Sequence, residues 1–209
     1  MTRPDHFYLE PEDECVYFSD YCARQGYGYS PMNQLIYNLK KPVDRRWHRD
    51  WVHKERAIEN AGTAFAAALP DWLIEQATLI AMPPSKSKDD PRYDDRMERI
   101  LLRLRAIKAC DIRELLLQDG SREIPAHEGE RPGPEALAQG YRVDAQTAEP
   151  TPRLIGLFDD ALVTGSSFKA AKTVLQASFP NIRVVGIYVA RRIFAPADFG
   201  FEPIQNDDQ

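Results

Sequence analysis

Cysteine is scarce in this chain, and every feature that would give its few thiols a framework is missing. Cys15, Cys22 and Cys110 are odd in number and show neither a CxxC pair nor Cys/His zinc spacing. That excludes a disulfide scaffold or zinc cluster read from spacing, and leaves reduced thiols packed in a core as the expectation. Long apolar runs are missing too: none approaches the roughly eighteen residues needed to span a bilayer. Met1-Thr-Arg-Pro-Asp-His6 lacks the apolar region of a signal peptide. A cytoplasmic location with no membrane partner is therefore expected. Nor does one sign of charge dominate. A net charge of −5 argues against a surface built throughout for nucleic-acid phosphates, although a local patch can still bind them. What is present is 209 residues, 43% hydrophobic and 28% charged, which is a globular composition with length enough for a sizeable core.

The first thirty residues are polar and aromatic without a clear period. Ser30-Pro31 can cap a short helix through Leu35, Ile36 and Leu39, which Pro42 ends. Residues 40–56 then carry seven Lys/Arg against three acids, with Trp47 and Trp51 interleaved. Two readings of this stretch stand. In one, a helix packs its two tryptophans inward, four apart, with its charges in water. In the other, basic side chains and indoles dock on a nucleic-acid strand. Helical spacing of Ile58, Ala61, Phe65, Ala68 and Leu69 predicts an amphipathic helix over 54–69, stopped by Pro70. Residues 77–82 read as a short strand. A Pro/Ser/Lys loop follows, and then a helical pattern through Met97, Ile100, Leu101 and Leu104, the start of a βαβ crossover. The Gly-, Pro- and charge-rich stretch 118–134 reads as a lid or a linker. A short helix near 134–139 and the strand-like Tyr141-Arg-Val143 come next.

The rest of the chain is organised around Leu154-Ile-Gly-Leu-Phe-Asp-Asp-Ala-Leu-Val-Thr-Gly-Ser-Ser167. Its apolar opening suits a strand buried on both faces of a parallel sheet. Asp159 and Asp160 fall where that strand should end, and are expected to face solvent. Thr164, Gly165, Ser166 and Ser167 precede the next helical pattern, so hydroxyls and unpaired N–H groups converge at a helix N-terminus suited to a phosphate. Gly165 is expected to permit close backbone approach, a Cβ there falling where the phosphate would lie. Residues 183–190 form another buried strand, making a parallel pair with a right-handed crossover.

The 154–167 stretch resembles the ribose-phosphate binding motif of type I phosphoribosyltransferases, although Gly156 and Ala161 stand where that family usually carries larger aliphatics. The resemblance extends over roughly 77–192 and is nearest the competence-protein-like, amidophosphoribosyltransferase-like branch. It implies an α/β fold with a mainly parallel sheet flanked by helices. Residues 1–60 would be a helical or irregular N-terminal elaboration or hood, and 61–209 the core. The acidic pair would hold ribose hydroxyls and, through substrate and water, Mg²⁺. Ala161, Leu162, Val163, Thr164, Gly165, Ser166 and Ser167 would hold the 5′-phosphate. Pro84, Ser85 and Lys86 fit the pyrophosphate loop, Arg96 fits an Arg at the start of the next helix, and Arg131 fits the lid. His127 stands where that branch has Gln.

Lys86, His127 and Arg131 would then be catalytic, in transfer of ribose 5-phosphate from phosphoribosyl pyrophosphate to a nitrogen of a nucleobase or amine. A nucleoside monophosphate is the alternative ligand, and a homodimer is possible in this family. A non-catalytic sensor of phosphoribosyl pyrophosphate or nucleotides, and a nucleic-acid-linked protein using residues 40–56, are the competing readings.

Overall fold

In order, the elements are β1 (Glu14–Ala23), α1 (Pro31–Leu39), a 3₁₀ turn (Val43–Trp47), α2 (Trp51–Ala68), α3 (Asp71–Gln76), β2 (Thr78–Ala81), α4 (Arg96–Ile107), β3 (Asp111–Ile112), β4 (Leu116–Gln118), α5 (Pro134–Ala138), β5 (Tyr141–Val143), β6 (Leu154–Leu162), α6 (Ser166–Ser178) and β7 (Arg183–Phe194). The computed structural model describes residues 5–120 and 132–194. His127 and Arg131, with most of the 118–134 stretch, lie outside the described residues. Among the described residues no helix is long and apolar enough to cross a membrane.

Five strands form one sheet in the order β1-β7-β6-β2-β3, every neighbouring pair parallel, while β4 and β5 make a separate antiparallel pair. This is an α/β fold with a parallel sheet and helices on both faces. Alternation along β6 builds two cores, since successive side chains point to opposite faces. Leu154 and Phe158 pack with Ile58 and Phe65 of α2 and Ile100 and Leu104 of α4. Ile155 and Leu157 pack with Phe168 and Leu175 of α6. Gly156 is small because its neighbours leave no room: a Cβ there would lie 2.9 Å from Leu79 Cδ2 and 3.2 Å from Ile187 Cδ1.

The order of the strands fixes where a ligand can sit. From β2 the chain crosses through α4 to β3 on one side, and from β6 it crosses through α6 to β7 on the other. The two crossovers diverge between β2 and β6, which opens a crevice beyond the carboxyl ends of those strands.

Two expectations change. The aperiodic N-terminal segment contains β1, an edge strand that among the described residues pairs only with β7. Its outer side chains Val16 and Phe18 stay exposed, which hides the usual apolar alternation. The inward-packed tryptophans are also overturned in part. The 3₁₀ turn ends at Trp47 and α2 starts only at Trp51, so the spacing of four spans a break rather than one helix. Trp47 is 89% exposed, whereas Lys54 is 1% exposed.

Candidate functional site

A cleft of ≈ 320 Å³ occupies the β2/β6 crevice. The loop after β2 brings Pro84, Ser85 and Lys86 to one wall. The end of β6 and its loop bring Asp159, Asp160, Ala161, Leu162, Val163, Thr164, Gly165, Ser166 and Ser167 to the other. Lys40 from the end of α1 and Arg96 from the start of α4 also line it. Sequence reasoning overlooked Lys40, because residues 40–56 read as a unit of their own. Beside the cleft, a second cavity of ≈ 460 Å³ lies between α4 and the β4–β5 pair, and Gln118 Nε2 there donates to the Ser85 carbonyl at 3.0 Å.

The α6 N-terminus is shaped by backbone. Gly165 is the N-cap of α6 with φ +86° and has no side chain to cap the helix, so beyond the Ser166 N–H the first N–H groups of α6 have no intrahelical acceptor. The Ser166 N–H donates to Thr164 Oγ1 at 3.4 Å, and Thr164 Oγ1 donates to Ser166 Oγ at 3.1 Å. Residues 6–13 clasp this loop from outside. Buried His6 donates from Nδ1 to the Val163 carbonyl, and Tyr8 N–H donates to the Thr164 carbonyl at 3.1 Å. A carbonyl only accepts, so Nδ1 carries the proton. Burial holds the His6 pKa below the ordinary histidine value. Asp13 pairs with Lys169 at 3.1 Å and Lys172 at 2.6 Å of α6.

The clasp changes the expected role of Gly165. A Cβ there would point at Leu9, 2.7 Å from both Cγ and Cδ2, rather than into the phosphate position. Gly165→Val therefore acts through the backbone and through Leu9. Forcing a β-branched residue into this left-handed conformation should cost about 1–3 kcal/mol, before the displacement of Leu9 is added. Thermal unfolding would show the loss, and phosphate affinity should fall with it. A variant as stable as the parent would mean that the loop relaxes freely.

The two carboxylates are not equivalent, and Asp160 does not face solvent. Adjacent strand positions point to opposite faces. Asp160 shares the face of Phe158 and is buried against α1 and α4, while Asp159 is half-buried in register with Tyr188. Arg96 donates to Asp160 Oδ2 from Nε at 2.9 Å and also from Nη2. Lys40 Nζ lies 3.1 Å from Asp160 Oδ1. Arg96 Nη1 further donates to Asp94 Oδ2 at 2.7 Å, and buried Lys54 donates to the same oxygen at 2.7 Å. Burial alone would push Asp160 up, but Lys40 and Arg96 outweigh it and hold the carboxyl below the usual aspartate range. Asp159 is pushed well above that range, by burial first and then by the Asp160 charge beside it.

No family model matches this chain, and no curated protein does. The site therefore stands on its own geometry.

Among the described residues no group of three or more His, Cys, Asp or Glu could hold a metal. With both oxygens of Asp160 committed to cations, Asp159 is the carboxylate of the pair left to meet one. One carboxylate with water and substrate phosphates is a usual setting for Mg²⁺.

Proposed function

We propose that this protein is a phosphoribosyltransferase-like protein of type I. It would bind phosphoribosyl pyrophosphate with Mg²⁺ and transfer ribose 5-phosphate to a nitrogen of a nucleobase or amine. The observation that carries this reading is the crevice at the divergence of β2 and β6. A helix N-terminus behind a glycine N-cap, a half-buried carboxylate and a Pro/Ser/Lys loop meet there.

Each wall has a part in the chemistry. The α6 N-terminus with Thr164, Ser166 and Ser167 holds the 5′-phosphate, fixing one end of the sugar. Asp159, and Asp160 through the Oδ1 that faces Lys40, accept from the ribose hydroxyls. Pro84, Ser85 and Lys86 face the pyrophosphate, where the Lys86 ammonium stabilises charge that grows as the bond from the anomeric carbon to oxygen breaks. Mg²⁺, when bound, supplies further neutralisation of that leaving group. The nitrogen lone pair then forms the new bond to the anomeric carbon, its proton passes to solvent or a nearby base, and pyrophosphate departs.

The test is calorimetry with phosphoribosyl pyrophosphate in Mg²⁺, followed by a pyrophosphate-release assay across a panel of nucleobases and amines. Binding with release for at least one acceptor is the expected result. Binding without release for any acceptor would make the protein a sensor. No binding of phosphoribosyl pyrophosphate or of nucleoside monophosphates would remove the reading altogether.

A further inference from the structure

Both oxygens of Asp160 are engaged before any ligand arrives. Oδ2 accepts from Arg96, and Oδ1 faces Lys40 Nζ at 3.1 Å. A sugar diol approaching this carboxylate must replace one of them. Arg96 is the harder to move, since its other branch is held by Asp94 at 2.7 Å and its side chain is 20% exposed. The Lys40 side chain is 43% exposed and its partner Asp160 is 5% exposed.

The backbone that carries Lys40 is fixed. Its N–H donates to the Ile36 carbonyl at 2.9 Å, and Lys54 Nζ grips the carbonyls on either side, Leu39 and Lys41, at 2.8 Å each. The half-exposed Lys40 side chain can therefore swing without its backbone moving. The cleft it would swing within also contains the Pro84–Lys86 loop.

We propose that Lys40 is a ligand-selecting residue: it occupies the diol-binding oxygen of Asp160 in the empty protein and, on binding, is handed over to an anion attached beyond the anomeric carbon. This rests on the phosphoribosyl reading of the cleft and deepens it. A ligand with a diol and a pyrophosphate replaces Lys40 and then receives it. A ligand with the diol alone, such as ribose 5-phosphate, replaces Lys40 but leaves its ammonium without a carboxylate. The site thus discriminates against sugar phosphates that lack a leaving group, using a residue from the N-terminal segment.

Opposite signs make the test decisive. Ribose 5-phosphate and phosphoribosyl pyrophosphate are titrated, both in Mg²⁺, into the parent, Lys40→Ala and Lys40→Arg. Removing a partly exposed competing cation should tighten ribose 5-phosphate binding about threefold. Losing a charge-assisted contact should weaken phosphoribosyl pyrophosphate binding about tenfold or more. Lys40→Arg should restore the parent's order of preference, which a merely structural role for the side chain would not require. Affinities that move in the same direction, or not at all, overturn the proposal while leaving the phosphoribosyl reading standing. A parent that binds neither ligand overturns both.

Discussion

Asp160→Asn should destabilise the protein by about 3–5 kcal/mol, because it removes the charged partner of a buried ion pair and strands the other. The amide keeps the shape of the side chain but cannot neutralise Arg96 and Lys40, which converge on one buried carboxylate. Asp159→Asn should do the reverse. Its carboxyl is raised in the folded protein, so between the ordinary aspartate value and about 7 the folded state holds a proton that the unfolded state has lost. Stability contributed by this group is therefore lost as pH rises through that window, and an uncharged Asn escapes the loss. Asp160 has the opposite sign: its depressed pKa gives stability that is present above the ordinary aspartate value and lost as pH falls toward about 2.

Urea unfolding of both variants and the parent at pH 5 and pH 8 separates these effects. Asp159→Asn should gain on the parent from pH 5 to pH 8, while Asp160→Asn should be far less stable at both. Equal, small effects at the two positions would show that the acids behave as an ordinary exposed pair.

Much of this arrangement is legible in the chain, wherever local chemistry and tertiary packing agree. Ser30-Pro31 starts α1 as expected, with Ser30 Oγ accepting the Asn33 N–H at 3.0 Å. The apolar runs of β6 and β7 form a buried parallel pair, and α6 begins directly after Gly165. The failures share a cause. A periodic pattern records which residues face a core, but not which charges meet. β1 is half-covered at an edge, so its alternation is blurred by exposed Val16 and Phe18. The partners of Asp160 lie 64 and 120 positions away in sequence, at Arg96 and Lys40. Nothing local distinguishes an aspartate held by two cations from one facing water. The Arg96 position was anticipated only from the resemblance; Lys40 and Lys54 carried no signal beyond membership in a basic stretch.

Lys54 is where that stretch departs furthest from its sequence reading, and Lys54→Met should expose the difference. Its ammonium carries three protons and has three acceptors: the Leu39 and Lys41 carbonyls at 2.8 Å each and Asp94 Oδ2 at 2.7 Å. The Trp51 ring lies 5.2 Å from the same nitrogen, adding a cation–π contact. Methionine matches much of the stem but satisfies none of the acceptors. The replacement leaves Asp94 short of a counter-charge and two carbonyls without this donor, which should cost about 3–5 kcal/mol. Lys108→Met gives a control of the same chemistry at the surface. Lys108 pairs with Asp71, whose side chain is 76% exposed, and pairs of that kind are worth about 0–1 kcal/mol. Denaturant unfolding compares the two variants. Because Lys54 holds the backbone on both sides of Lys40, its loss should also weaken ligand binding under conditions where the variant remains folded, whereas Lys108→Met should leave binding unchanged. A Lys54→Met protein within 1 kcal/mol of the parent would mean that water takes over the three acceptors, and that the basic stretch is a solvated face after all.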